Sequence, residues 1–270
     1  MLSYTRIKAY QTCPKQYEYK YVQGRTPLPT ALMLEGSSEH TKIADTKQVP
    51  DFFKSAFEKN FPNPVWEERI TADFFTFELQ GVIDCYSINN AISCSIADWK
   101  LMGIPQDDEQ LKVYALLLSK KYPDLEFFTA YFVSIKGGFY RRFTYSKEDI
   151  EEFERYLIKV ADEITEAKNF LPRPGDHCAY CPFVIDCYKE NNLPQELPAI
   201  TSIDQAIDLG KKVLIAESFL KQVKDKIKDF LLSQGLEELQ LDEKNRVYLS
   251  PSIALRFGKV NGKSKTRARR

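Results

Sequence analysis

No run of about eighteen apolar residues occurs in the 270 residues, so no segment is suited to cross a bilayer as a helix. The first residues lack a signal-peptide pattern as well, because Tyr4 to Tyr21 is rich in Lys, Gln and Tyr where an apolar core would stand. A Walker A phosphate loop is missing, so an unwinding motor would have to be a separate protein. Acidic residues are missing after Glu243, and every charge from Lys244 to Arg270 is positive. Formal net charge is nevertheless zero, which leaves an acidic body and a cationic end. Such an end is expected to touch polyanions or, failing that, only to keep the chain in solution. Cysteine is sparse, six residues with no secretory pattern before them. That favours a reducing compartment, the cytoplasm, and metal ligation or buried thiols over disulfides.

With 43% hydrophobic and 28% charged residues, the chain suits one sizeable domain plus an appendage. The boundary is placed at 190/191, before a linker at Pro194 to Pro198. Ser3 caps a predicted helix to about Tyr21, broken at Cys13-Pro14. Helices over Ala31 to Asp45 and Asp51 to Asn60 precede a strand from Val65 to Ile70. Two further apolar-alternating runs, Thr76 to Tyr86 and Ala91 to Ala97, flank Asn89-Asn90 and predict a hairpin. A helix follows from Gln110 to Lys121, then a second hairpin, Glu126 to Ser134 and Phe139 to Tyr145. Ser146 caps a long amphipathic helix to about Asn169. In the appendage, Ser202 to Gln234 is helical and Lys-rich, and Glu238 to Leu241 with Arg246 to Leu249 predicts a hairpin around Asp242 to Asn245.

The central hairpin carries the chemistry. It brings Asp84 and Asp98 to neighbouring strand positions and sets Lys100 on the face of Asp98, because side chains alternate with period two. Two carboxylates at one point repel, and a shared Mg²⁺ or Mn²⁺ is the usual reason for such a pair. A lysine beside them can orient a water or steady charge on a phosphate. Asp-x-Lys alone says little, since Asp45-Thr46-Lys47 and Asp242-Glu243-Lys244 recur elsewhere. It gains weight from the Gly81-Val-Ile-Asp84 strand before it and from Gln110 and Tyr114, one helical turn apart, after it.

In that order and spacing the segments resemble the PD-(D/E)xK nucleases of the RecB-like type. The resemblance runs from about Leu2 to Tyr188 and implies an α/β fold: a central mixed sheet flanked by helices, the restriction-endonuclease-like core. It implies a site of Asp84, Asp98, Lys100, Gln110 and Tyr114. His40, in Gly36-Ser-Ser-Glu-His40, is implied as a metal ligand together with the Trp99 carbonyl. An additional acidic residue is expected at Glu68, chosen over the adjacent Glu67 on the opposite face.

His177-Cys178-Ala-Tyr-Cys181-Pro-Phe-Val-Ile-Asp-Cys187 places three cysteines as C-x₂-C-x₅-C, a ligand spacing and not a core pattern. A fourth ligand must come from elsewhere: Cys13 is the obvious candidate, while Cys85 and Cys94 lie on predicted strands. Zinc bound by four cysteines, or by three and His177, fits the spacing equally. The run around Cys13-Pro14 together with the triplet resembles the [4Fe–4S] nucleases of the AddB and CRISPR-adaptation kinds. That resemblance implies that Cys13, Cys178, Cys181 and Cys187 hold such a cluster in a structural role.

The expected function is a divalent-metal-dependent DNA nuclease, an exonuclease by preference, in DNA processing, recombination or repair. Its partners would be single-stranded or end-bearing duplex DNA and a helicase or recombination protein. The rival is a non-catalytic DNA-binding or assembly subunit on the same fold, and such a subunit usually loses the lysine or an aspartate. A zinc-stabilised protein unrelated to nucleases is the third reading.

Overall fold

A computed structural model describes residues 1–190, 200–241, 245–249 and 255–259. The expected linker and tip of the last hairpin, and the basic end beyond 259, lie outside these residues. Two compact units emerge. One comprises Met1–Gln11 and Lys20–Phe170, the other Thr12–Tyr19 and Leu171–Arg270.

Helices α1 (Tyr4–Thr12) and α2 (Pro14–Tyr17) are split at Cys13, whose extended backbone precedes Pro14 at the first position of α2. That is where proline is tolerated in a helix. A π-helical turn, Glu18–Val22, follows. In the first unit, α3 (Ala31–Thr46) starts at Thr30, whose hydroxyl accepts the Met33 N–H, and ends at Lys47 with φ of 58°. Next come α4 (Asp51–Asn60) and the strands β1 (Pro64–Phe74), β2 (Phe77–Asn90) and β3 (Ser93–Lys100). Helix α5 (Glu109–Lys121) leads to β4 (Phe127–Ser134) and β5 (Phe139–Ser146), and α6 spans Lys147–Glu166.

The sheet has the order β1-β2-β3-β4-β5, with β3 and β4 parallel and the other pairs antiparallel. It is the expected mixed sheet flanked by helices, and α5 is the crossover a parallel pair requires. The hairpin turn falls two residues later than predicted. Asn90 remains in β2 and its side-chain oxygen accepts the Ile92 N–H at 3.0 Å, so Asn90 shapes the turn from the strand end.

One face of the sheet buries an aromatic cluster centred on Phe53 of α4, whose ring meets those of Trp99 and Tyr131 at centroid distances of 6.0 and 5.3 Å. The other face takes α5, in which Leu111, Val113, Ala115, Leu116, Leu117 and Leu118 are all buried. Such all-round burial marks a helix enclosed on every side. Helix α6 begins with a Ser146–Asp149 capping box and buries Ile150, Phe153, Leu157, Val160 and Ile164 along one stripe. Gly81 sets how closely α5 approaches β2. A Cβ there would lie 2.9 Å from Leu117 Cδ1 and 3.3 Å from the Tyr114 ring.

The second unit contains the 3₁₀ turn Asp176–Tyr180, α7 (Val184–Glu190) and the long α8 (Ile203–Ser233), capped by Ser202. Strands β6 (Glu238–Gln240) and β7 (Asn245–Leu249) form the expected antiparallel pair, and β8 (Leu255–Lys259) adds a third strand that was not foreseen.

Candidate active site

Asp84 and Asp98 face each other where the β2–β3 ladder stops. The last paired residues are Cys85 and Ala97, and at the next step the Asp84 carboxylate replaces a backbone acceptor, taking the Trp99 N–H at 2.8 Å. Trp99 thus enters through its amide, while its indole is buried in the aromatic cluster. Both aspartates are buried. Burial, and then the Asp98 charge, raises the Asp84 carboxyl well above its usual range. Burial raises Asp98 too, against the lowering pull of Lys100 and His40.

Lys100 Nζ lies 2.5 Å from Asp98 Oδ2, as the two-residue alternation requires. Gln110, in the first turn of α5, connects the group. Its side-chain oxygen accepts from Lys100 at 2.9 Å, and its amide nitrogen donates to Asp98 Oδ1 at 2.7 Å and to the Tyr114 hydroxyl at 2.8 Å. Tyr114 is buried, and burial together with the aspartate charges raises its phenol strongly. Gln110 and Tyr114 therefore orient Asp98 and Lys100 from behind.

His40, on α3, brings Nδ1 to 3.4 Å from Asp84 Oδ2. The two adjacent glutamates of β1 are placed differently. Glu68 turns away, held by Lys121 Nζ at 2.7 Å to both carboxylate oxygens and by a hydrogen bond from Tyr86, and these partners lower its pKa. Glu67 instead offers a carboxylate oxygen within 4.8 Å of ligand atoms of both His40 and Asp84. It does so at φ of 49°, a left-handed backbone in the middle of β1. A cleft of about 640 Å³ opens beside it, lined by Met33, Gly36, Ser37, His40 and Thr41 among others.

The donor set fits a divalent cation. Carboxylate oxygens and one imidazole nitrogen converge beside a buried carboxylate pair. The oxygens suit Mg²⁺ and the nitrogen tilts the site towards Mn²⁺.

The cysteines of the other expected centre lie in the second unit. Cys13, Cys178, Cys181 and Cys187 line one pocket with Tyr19, Arg173, His177, Val184 and Ile215. The Arg173 N–H points to Cys13 Sγ at 3.4 Å, and His177 Nε2 lies 3.8 Å from Cys178 Sγ. Burial raises the thiols of Cys181 and Cys187 to about 11 and about 12, with a further rise from the neighbouring cysteines. A bound cation would reverse that penalty by taking the thiolates, the chemistry that four cysteines on one pocket make available. Cys85 and Cys94 are buried in the first unit, where burial pushes both thiols strongly up, at Cys85 with the Asp84 charge beside it, and they are core residues.

A carboxylate pair with a lysine at the end of adjacent strands, backed by a helix, defines a phosphodiester-cleaving class of α/β proteins. The family comparison agrees. The description of the PD-(D/E)XK nuclease superfamily matches residues 47–188, more than half of the chain, and the chain belongs to that superfamily. The match includes Glu67, Asp84, Asp98, Lys100, Gln110 and the three later cysteines, and leaves out His40 and Cys13. No curated protein matches the chain. Among solved structures, SSO0001 is 15% identical with a TM-score of 0.41, covering 73% of this chain and 87% of its own. The structure named "Putative exonuclease" from Eubacterium rectale is 12% identical with a TM-score of 0.45, covering 73% and 90%. Among the described residues, no helix is long and apolar enough to cross a membrane.

Proposed function

We propose that the chain is a divalent-metal-dependent deoxyribonuclease of the RecB-like type, acting from ends on DNA in recombination or repair. The observation that carries this reading is the intact set around Asp98: Lys100 on its carboxylate, Gln110 on both, and the His40–Glu67–Asp84 group beside it. A subunit kept only for binding has no need of a buried carboxylate pair and a lysine held by a side-chain amide. Bound Mg²⁺ or Mn²⁺ would supply Lewis-acid stabilisation of the scissile phosphate and a more acidic water. The protein's share is positional. His40, Glu67, Asp84 and Asp98 would hold the ion, the Trp99 carbonyl is a further candidate ligand, and Lys100 would direct a water or steady the phosphate charge.

The cysteine pocket is read as a [4Fe–4S] site holding Thr12–Tyr19 to the segment after Leu171, in a structural role. Zinc is the competing metal. A tetrahedral zinc at about 2.3 Å from each sulfur draws its ligands to within about 4 Å of one another. Iron and sulfide content set against zinc content separates the two.

The decisive experiment incubates the purified chain with Mg²⁺ or Mn²⁺ on end-labelled single-stranded and duplex DNA. Metal-dependent product with wild type and none with Asp98→Asn supports the reading. No cleavage by wild type at any metal concentration, with DNA still bound, would turn it to the non-catalytic subunit. Iron and sulfide content of anaerobically purified protein tests the cluster, and one zinc per chain with no iron would overturn it.

A further inference from the structure

One side chain of α8 is directed at the backbone of the cysteine loop. Gln222 Nε2 lies 3.3 Å from the Cys178 carbonyl oxygen, 3.3 Å from that of Ala179 and 3.0 Å from that of Cys181. An amide group has two protons, so it serves these three acceptors in turn and ties together the span between two candidate ligands. The Cys178 and Cys181 carbonyls already accept the Cys181 and Val184 N–H groups at 3.3 Å each, and Gln222 adds a side-chain donor that reaches both of them and Ala179.

The same helix contributes more to this place. Ile215 is buried and walls the pocket, Phe219 stacks on Tyr188 at 4.5 Å just after Cys187, and the Lys221 ammonium lies 5.0 Å from the Tyr180 ring centroid. Ile215, Phe219 and Gln222 follow at spacings of four and three, one face of a helix. The superfamily match ends at residue 188, so this face lies wholly beyond it.

We propose that Gln222 is a positioning residue for the metal centre, holding the Cys178–Cys181 loop in its ligand-presenting form, with Ile215 closing the pocket beside it. The proposal rests on the cysteine-cluster reading above. A loop fixed before the metal arrives loses little conformational entropy on ligation, and a sulfur that lets go is held close enough to rebind. Residues that orient ligands from outside typically govern metal affinity by about 10–100-fold.

The test uses the full chain, purified anaerobically, as wild type, Gln222→Glu, Gln222→Leu and Gln222→Lys. Decay of the visible cluster absorption in air and iron transfer to a chelator are followed. Gln222→Glu sets an oxygen against three carbonyl oxygens and should lose the cluster about 10-fold faster. Gln222→Leu removes the donors without that repulsion, should also accelerate loss, and stands in if the glutamate variant does not fold. Gln222→Lys returns N–H donors and should stay within about twofold of wild type, a rescue that general packing does not predict. Wild-type rates in both Gln222→Glu and Gln222→Leu, or a Gln222→Lys variant as labile as Gln222→Leu, would overturn the proposal. If wild type holds zinc, the iron reading fails while zinc release from the same variants still tests Gln222. If wild type binds neither metal, both fall.

Discussion

Glu67 stands opposite Asp84 in the β1–β2 register, in the gap between the Trp66–Cys85 and Glu68–Ile83 pairs, and it does so at a positive φ. A left-handed backbone on a residue with a side chain costs about 1–3 kcal/mol and persists where the surroundings impose it. Glu67→Gly should therefore raise metal-free stability by about 1 kcal/mol while weakening Mn²⁺ binding. Melting curves with and without Mn²⁺ check this: a higher Tm without metal and a smaller metal-induced rise are expected. A loss of stability in both conditions would show that no strain is released there. Glu68→Gln, by contrast, should leave cleavage within about twofold, since Glu68 is tied to Lys121 on the other side.

Gln110 holds Lys100 and Asp98 together, so its loss should act on rate more than on metal binding. For Gln110→Leu, kcat should drop by about 10–100-fold with the half-saturating Mn²⁺ concentration within a few-fold of wild type. Lys100→Ala should drop it by about 10²–10⁴-fold. Single-turnover cleavage across a metal titration separates the two effects.

Protonation of the aspartates links folding to pH. Asp84 and Asp98 have folded pKa values above their ordinary 3.8, so the folded chain binds their protons more tightly than the unfolded chain does. Their contribution to the stability of metal-free protein is complete below pH of about 4 and is lost as pH rises through the folded values. A bound cation takes the ionised form and reverses the trend. Chemical denaturation from pH 5 to 8 should show metal-free stability falling across these groups' range, and the stabilisation by Mn²⁺ growing with pH. A Mn²⁺ effect independent of pH would place the ion elsewhere.

His40 gives the site its nitrogen donor. His40→Ala should remove most activity and abolish a preference for Mn²⁺ over Mg²⁺, leaving the iron content unchanged. Superimposable metal titrations of wild type and His40→Ala would take His40 out of the site.

Much of this was readable along the chain because it rests on local chemistry. Alternation of apolar residues marks β2 and β3, the Ser146 box marks α6, and Pro14 marks the break after α1. Period two alone places Lys100 beside Asp98. The one-turn spacing of Gln110 and Tyr114 likewise brings both to the same neighbours. These are short-range consequences of backbone geometry, and they carry over into the fold unchanged.

The choice between Glu67 and Glu68 was of another kind. Both lie on one strand with opposite facings, and only the register of β1 against β2, together with a left-handed residue within the strand, decides which of them meets Asp84. Register follows from the turn and from the pattern buried across the pair, but a left-handed residue inside β1 leaves no mark in the strand's alternation. The meeting of Gln222 with the cysteine loop needed the tertiary structure too, whereas Cys13 was already named from the sequence as the fourth cysteine. The residue types determined what chemistry was available, and long-range packing decided which of them came within reach of one another.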